Sequence, residues 1–280
     1  MEDNLRRLQM TQLDILKCIH SVCLDHGIHY SLYAGTLLGA VRHHGFIPWD
    51  DDLDICMERR EYDRFLQAWD QTRPKGFLLQ NKENSPAFDQ SFTKIRKEHT
   101  TFLQPKDLPN EYHTGIFIDI FPIDRMPESK PALLLFAWDC LRYQLYSREF
   151  VPPKGNIIQK MVSSVLLAAV PPEKRAARRK ALLKRIIKYN SGKGNAVAIE
   201  TMNTICVPLP ENLLDEYVRL PFEDGEYMCF KNWDGYLKAK YGDYMTLPPE
   251  SERTWKHHPI LIDFEHDYEE FQQTGTDHFP

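Results

Sequence analysis

The sequence predicts an α+β protein in which a mixed β-sheet core is flanked by helices and interrupted by a helical insertion. Segments with helical spacing of apolar residues alternate with short β-prone segments over the first 127 residues. One β-prone segment, residues 115–121, is nearly all β-branched or aromatic, which is typical of a buried strand. Beyond Pro127 only helical patterns follow for about 60 residues. We therefore predict a core made of residues 1–127 and 195–280, and a helical insertion over residues 128–194.

Composition limits the class of protein. The chain has 280 residues and a formal net charge of −5, which argues against a nucleic-acid partner held by bulk charge. No apolar run approaches the ~20 residues of a membrane-spanning helix, and residues 1–7 are too polar for a signal peptide. The six cysteines are scattered with no CxxC pair, so we expect reduced thiols in the cytoplasm and no disulfide or zinc framework.

The individual elements follow from apolar spacing and from the positions of glycine and proline. A first helix runs to about His26 and ends at Gly27, and the Gly35-Thr36 pair opens a second helix that runs to about His43. The other predicted strands are 29–34, 53–57, 76–80, 92–97 and 115–121, with short strands or loops at 196–226, and the other predicted helices are 59–71, 131–150, 156–170, 173–188 and 232–241.

A run of aspartates leads directly into one of these strands. Residues two apart on a strand share a face, so Asp52 and Asp54 are expected side by side, and Asp119 joins them if its strand is a neighbour. Adjacent carboxylates repel each other unless a cation lies between them, and hard oxygen ligands suit Mg²⁺ or Mn²⁺. The alternative is a solvated acidic loop. The apolar strand that follows directly favours the metal site.

The Gly-Thr pair is the second element of the predicted site. Glycine lets a backbone approach a phosphate closely, and the hydroxyl of Thr36 and the free N–H groups of the helix that follows can bind it. A simple helix N-cap is the alternative for Gly35-Thr36 taken alone. The pair indicates a phosphate-binding turn because it stands in the order strand, Gly-Thr, helix, loop and Asp-x-Asp strand.

This order resembles the nucleotidyltransferase superfamily, and four blocks resemble the LicD family of phosphotransferases, which is related to fukutin and fukutin-related protein. The blocks are AGTLLGAVRHHGFIPWDDDLDI (34–55), FTKIRKEHTTF (92–102), GIFIDIFPID (115–124) and YLKAKYGDYMTLPP (236–249). They lie in the family's order on both sides of the predicted insertion. Thr36 departs from the Gly or Ser of the wider superfamily, but it keeps a hydroxyl.

The resemblance implies the fold, the reaction and the site. It implies a nucleotidyltransferase-like core with Asp52, Asp54 and Asp119 as catalytic and metal-binding carboxylates for Mg²⁺ or Mn²⁺. The implied reaction moves a phospho-alcohol, with phosphocholine favoured, from a CDP-linked donor to a hydroxyl, and CMP leaves. The implied acceptor is a cell-surface glycan such as lipopolysaccharide or teichoic acid, or its lipid-linked precursor.

Several further residues are candidates for binding the donor. Lys94 and Arg96 share one face of a strand and could hold its phosphates, with an exposed cationic strand face as the alternative. Arg42, after the Gly-Thr helix, and His257 are further candidates, each with a structural role as the alternative. Asp50 and Asp51 either support the metal site or cap the loop.

The predicted insertion suggests where the protein acts. Residues 157–166 form an apolar helical segment, and residues 173–188 are densely basic with apolar residues between the cations. A basic amphipathic helix can lie on an anionic membrane, which would suit a lipid-linked acceptor and a place on the inner face of the plasma membrane. The alternative is a helical cap packed on the core with its basic face in solvent.

Three other functions compete with the phosphotransferase. An NTP-dependent nucleotidyltransferase would release pyrophosphate, and a glycosyltransferase would use its Asp-x-Asp motif to hold a metal and a UDP-sugar. A catalytically inactive scaffold of the same fold is the alternative outside the enzymes. The intact trio of Asp52, Asp54 and Asp119 argues against the scaffold.

Overall fold

The centre of the protein is a mixed β-sheet that brings distant parts of the chain to one place. The computed structural model describes residues 2–108, 112–153, 156–192, 195–198 and 209–273. The strands are β1 (Ser31–Leu32), β2 (Asp54–Glu58), β3 (Phe77–Gln80), β4 (Thr93–Lys97), β5 (Thr101–Leu103), β6 (Phe117–Arg125), β7 (Ala196–Ala198), β8 (Tyr217–Phe222), β9 (Gly225–Phe230) and β10 (Leu261–Asp263). The α-helices are α1 (Glu2–Asp25), α2 (Ala34–His43), α3 (Arg59–Thr72), α4 (Lys130–Arg148), α5 (Ile157–Ala169), α6 (Pro172–Ile187), α7 (Trp233–Tyr241) and α8 (Tyr268–Gln273).

The strand order of the central sheet is β1-β2-β6-β4-β3, and β7 pairs with the end of β6. The β2–β6 pair is parallel, whereas the other pairs in this sheet are antiparallel. The sheet is therefore mixed, which confirms the predicted α+β class. The long strand β6 lies in the middle, so its residues have hydrogen-bonded neighbours on both sides.

Helices cover the sheet because their apolar positions recur at helical spacing. On α1, Leu8, Leu13 and Leu16 are fully buried in the same apolar cluster as Ile95 of β4 and Ile118 of β6. This burial follows the three- and four-residue spacing that predicted the helix. It fixes α1 against the strands that carry the candidate site.

Two small sheets complete the core. The hairpin of β8 and β9 packs next to β1, where the backbone N–H of Phe230 donates to Ser31 Oγ. The last part of the chain returns to the core through β10, which pairs with β5. This return places the segment just before β10 beside the aspartate run.

The helices α4, α5 and α6 share an apolar cluster of their own, which includes Phe136, Cys140, Leu182 and Ile186. This cluster supports the predicted helical insertion, whose limits at residues 128 and 194 stay a prediction because residues 193 and 194 lie outside the described part. None of the described helices is long and apolar enough to span a membrane.

The structure differs from the sequence prediction at several element ends. The strand predicted at 115–121 begins at Phe117 and continues to Arg125, because its second half pairs with β2 and β7. The strand predicted at 29–34 is reduced to two residues, because Ala34 already begins α2. Within the described residues β5 and β10 were not predicted, and Cys206 lies outside the described residues.

Candidate active site

A row of ionisable side chains crosses the centre of the sheet. Asp54 on β2 is the register partner of Asp119 on β6, and Asp119 is the partner of Lys94 on β4. Register partners point to the same face of a sheet, so the three side chains lie in one line. Lys94 Nζ donates to Asp119 Oδ1 at 2.5 Å and lies 3.2 Å from the centroid of the Phe117 ring. The predicted pairing of Asp54 with Asp119 is therefore present.

The Gly-Thr pair holds the start of β2. Thr36 Oγ1 accepts a hydrogen bond from the backbone N–H of Asp54 at 2.8 Å, and its side chain is buried. Ala34 adopts a left-handed φ of 48°, which costs a non-glycine residue energy and is typical of functional turns. At Gly35 a Cβ atom would lie 2.6 Å from Asp50 Oδ2, so any larger residue would displace that carboxylate. The pair thus positions two aspartates of the run.

The aspartates that precede the strand are anchored by the C-terminal part of the chain. Asp51 accepts from the backbone N–H of His257 at 2.9 Å and lies 3.1 Å from His257 Nδ1. Asp50 forms an ion pair with Lys256 at 3.0 Å. Both aspartates are buried, whereas Asp52 stays partly exposed. Asp50 and Asp51 therefore have protein partners, and Asp52 and Asp54 are both partly exposed.

The carboxylates of this cluster hold more negative charge than the neighbouring cations neutralise. Burial and the charge of Asp50 raise the pKa of Asp52 to about 7. Burial and the charges of Asp52 and Asp119 raise the pKa of Asp54 well above its ordinary value. By contrast, the hydrogen bonds from His257 outweigh burial and lower the pKa of Asp51. Asp52 and Asp54 are thus the two carboxylates for which an added cation would be most favourable.

These residues fit a divalent metal ion. Within the described part of the chain, the ligand atoms of Asp50, Asp51 and Asp52 come within 4.8 Å of one another. Asp54 is close enough to this group that, in addition to burial, the charge of Asp52 raises its pKa. Carboxylate oxygens are the ligands that Mg²⁺ and Mn²⁺ prefer. Because Asp50 and Asp51 are engaged by Lys256 and His257, Asp52 and Asp54 are the ligands that remain from the aspartate run, and Asp119 is the register partner of Asp54.

The predicted donor-binding cations are placed differently from one another. Lys94 is buried at the β4 end of the row, and burial lowers the pKa of its ammonium to about 8. Arg96 is also buried, but its guanidinium donates to Gln80 Oε1 and to the carbonyl of Gly115, both at 2.7 Å. Neither residue lies on an exposed strand face. Lys94 contacts Asp119, whereas the guanidinium of Arg96 joins β4 to β3 and to the segment just before β6.

Arg42 and His257 lie at the edge of the site. Arg42 Nη1 donates to the carbonyl of Tyr244 at 2.9 Å, and this contact joins α2 to the loop after α7. His257 faces the rings of Phe102 and Phe117 edge-on and lies 4.0 Å from Asp52. Burial lowers the pKa of His257, but the bond to Asp51 and the charge of Asp52 outweigh burial, so the pKa is raised overall.

Two lysines near the carboxylates were missed by sequence reasoning. Lys256 pairs with Asp50, and Lys240 lies with its Nζ 4.7 Å from the centroid of the Tyr33 ring, where its charge opposes the rise in the pKa of Asp54. Lys240 belongs to the block at 236–249, one of the four that resemble the LicD family. Its match to a family block was the signal that could have identified it.

Comparisons with known proteins agree with this geometry. A sequence model described as LicD/FKTN/FKRP, nucleotidyltransferase domain, matches residues 27–143. The chain is 29% identical over 261 residues to the lipopolysaccharide cholinephosphotransferase LicD of Haemophilus influenzae, covering 90% of this chain and 96% of that protein.

Shorter matches are found in two uncharacterised rickettsial proteins. One, from Rickettsia typhi, is 38% identical over 69 residues, which is 25% of this chain and 22% of that protein. The other, from Rickettsia prowazekii, is 30% identical over 114 residues, which is 41% of this chain and 39% of that protein. The family match includes Asp52, Asp54, Lys94 and Asp119, and it confirms the resemblance to the LicD family: residues 27–143 are similar to the LicD/FKTN/FKRP nucleotidyltransferase domain.

Proposed function

We propose that the protein transfers phosphocholine from CDP-choline to a hydroxyl of lipopolysaccharide or its lipid-linked precursor. The observation that carries this proposal is the row of Asp54, Asp119 and Lys94 beside Asp52, in a chain similar along most of its length to a lipopolysaccharide cholinephosphotransferase. The transfer of phosphocholine is supported by the relative, and the carboxylate row supports a diphosphate-linked donor. The donor and the acceptor are our proposal.

The reaction needs one bond to form and one to break. The acceptor oxygen attacks the phosphorus atom that bears choline, and the bond from that phosphorus to the bridging oxygen breaks, so that CMP leaves. Mg²⁺ held by Asp52, Asp54 and Asp119 would neutralise charge on the diphosphate. The protein's own contribution is mainly position and electrostatics, because the transferred group needs no covalent partner on the enzyme.

Individual residues have distinct tasks in this scheme. We propose Asp119 as the group that takes the proton of the acceptor hydroxyl, with Lys94 holding its carboxylate in place. Lys240 and Lys256 supply positive charge next to the aspartates, where the phosphates of the donor would lie. Thr36 fixes the backbone of Asp54, so its role is to position a metal ligand.

The test is thermal stabilisation of the protein by a ligand panel. The panel holds CDP-choline, CDP-ethanolamine, CDP-ribitol, CDP-glycerol, CTP, ATP and UDP-glucose, each with and without Mg²⁺. Binding to the folded state raises the melting temperature by mass action. We expect a Mg²⁺-dependent rise with CDP-choline, lost in Asp52→Asn and kept in the exposed control Asp70→Asn.

The other outcomes contradict the proposal in different ways. If only another CDP-alcohol raised the melting temperature, that compound and not CDP-choline would be the donor. If only CTP or ATP raised it, the protein would be a nucleotidyltransferase. A rise only with UDP-glucose would indicate a glycosyltransferase. A protein that binds none of these compounds, with or without added lipopolysaccharide, would be a scaffold of the same fold.

A further inference from the structure

Helix α5 turns an apolar face outward. Five of its apolar side chains are exposed, and for Ile157, Ile158, Met161, Val162 and Val165 the exposed fractions are 77%, 72%, 63%, 37% and 67%. Nine of the sixteen large apolar side chains that the described residues expose fall between residues 134 and 165. Exposure of this size on one short helix is unusual for a surface that faces only water.

The exposed side chains form one stripe along a well-formed helix. They follow the spacing i, i+1, i+4, i+5 and i+8, whereas the buried Ser163 and Leu167 lie on the opposite side. Asn156 and Gln159 form a capping box at the first turn. At the last turn the guanidinium of Arg175 donates to the carbonyls of Leu167 and Val170, both at 3.1 Å. The helix is thus held in place with its apolar face turned outward.

The surroundings of this stripe are strongly basic. Residues 157–188 contain nine Lys and Arg and one Glu, in a chain whose formal net charge is −5. Four of these cations, Lys160, Lys174, Arg178 and Lys184, are exposed and form no ion pair with any described residue. The charge of the segment is therefore available to an anionic partner.

The structure also changes the membrane-binding prediction made from the sequence. On α6, Leu182 and Ile186 are buried in the apolar cluster with α4, so these side chains cannot enter lipid while that packing is intact. The apolar contribution must come from α5, while α6 offers cations on its exposed side. Apolar contact and positive charge, which the sequence analysis expected of one helix, are therefore divided between α5 and α6.

We propose that α5 lies flat in the surface of an anionic lipid membrane, with its apolar stripe in the acyl boundary and the exposed cations of 157–188 on the headgroups. A helix of this length is about 20 Å long, and apolar contact plus attraction to anionic lipid is the usual basis of interfacial binding. A second copy of the chain is a poorer occupant, because a twofold contact through α5 would bring two strongly basic segments together. The proposal is independent of the group that the enzyme transfers.

The test is flotation of the purified full-length protein with lipid vesicles, in the absence of donor and acceptor. We expect binding to phosphatidylcholine vesicles that contain phosphatidylglycerol, at low salt, and much weaker binding to pure phosphatidylcholine. The variant Ile158→Glu/Val165→Glu should lower the partition coefficient at least about tenfold, because it removes apolar area and adds carboxylates next to anionic lipid. The matched control Met10→Glu/Leu24→Glu changes two exposed apolar residues of α1 and should bind like the wild type.

A second variant separates the role of charge. Lys174→Gln/Arg178→Gln should weaken binding to the anionic vesicles and leave the melting temperature unchanged, because both side chains are exposed. The proposal is overturned if the wild type does not float with anionic vesicles, or if the α5 variant floats as well as the α1 control. It is also overturned if sedimentation shows a dimer that the α5 variant abolishes while vesicle binding stays unchanged. Failure of any of these tests leaves the ligand panel for the transfer reaction unaffected.

Discussion

The hydrogen bond from the backbone of Asp54 to Thr36 gives the sharpest prediction about how the site is held. Thr36→Val keeps the shape of the side chain but removes the acceptor that lies 2.8 Å from the N–H of Asp54. Thr36 is only 4% exposed, so water does not replace the lost partner. A donor left without a partner in such a place costs about 1–2 kcal/mol of unfolding free energy.

The assay is urea denaturation followed by circular dichroism, with thermal melting as a second measure. We expect a loss of about 2–4 °C in melting temperature for each kcal/mol in a chain of this size. Thr36→Ser is the matched control, because it keeps the hydroxyl and should restore most of the stability. The reasoning is refuted if Thr36→Val unfolds at the same urea concentration as the wild type, or if Thr36→Ser loses as much stability as the valine variant.

Three further predictions concern the frame around the site. Arg59→Met should lower the free energy of unfolding by about 3–5 kcal/mol, measured by urea denaturation. The reason is that the fully buried Asp124 loses the guanidinium that now binds it at 2.6 and 3.0 Å. A change below about 1 kcal/mol would contradict this prediction. Gly35→Ala should lower the melting temperature, because its Cβ would lie 2.6 Å from a carboxylate oxygen of Asp50; a melting temperature equal to that of the wild type would show that the loop can move aside. The hydrogen bond from Arg6 of α1 lowers the pKa of Glu223 in the folded protein. The ion pair therefore stabilises the fold above the ordinary glutamate pKa, and this stabilisation is lost as the pH falls through the lowered pKa of the folded state. Glu223→Gln should therefore flatten the acid side of a stability-against-pH curve, and an unchanged acid slope would contradict this assignment.

Much of the site could be predicted from local patterns in the sequence. Asp54 opens an apolar strand, and Asp119 lies inside a segment that can only be a buried strand, so both positions followed from propensity and from the order of the family blocks. The helices α1 and α3 were predicted within about two residues, because their apolar spacing is regular and clear stops follow them. Their packing in turn fixes the sheet.

Other features depend on contacts between residues far apart in the chain, which spacing alone does not contain. Lys256 and His257 reach Asp50 and Asp51 from more than 200 positions away, through the pairing of β10 with β5. Lys94 was predicted to hold the donor's phosphates, with an exposed strand face as the alternative, and the place of β4 between β6 and β3 buries it. The apolar stripe of α5 has the same spacing as a buried stripe, so its exposure became visible only when its neighbours were known.

The most direct test of the central claim is the transfer reaction itself, measured in the wild type and in a variant of Asp54. The purified protein is incubated with CDP-choline, Mg²⁺ and lipopolysaccharide that lacks phosphocholine, and mass spectrometry measures phosphocholine on the lipopolysaccharide and CMP in solution. The account predicts equal amounts of the two products, both dependent on Mg²⁺ and both reduced about a hundredfold or more in Asp54→Asn, with Asp70→Asn unaffected. Transfer that continues at the wild-type rate in Asp54→Asn would contradict it, as would a protein that releases no CMP and leaves the lipopolysaccharide unmodified.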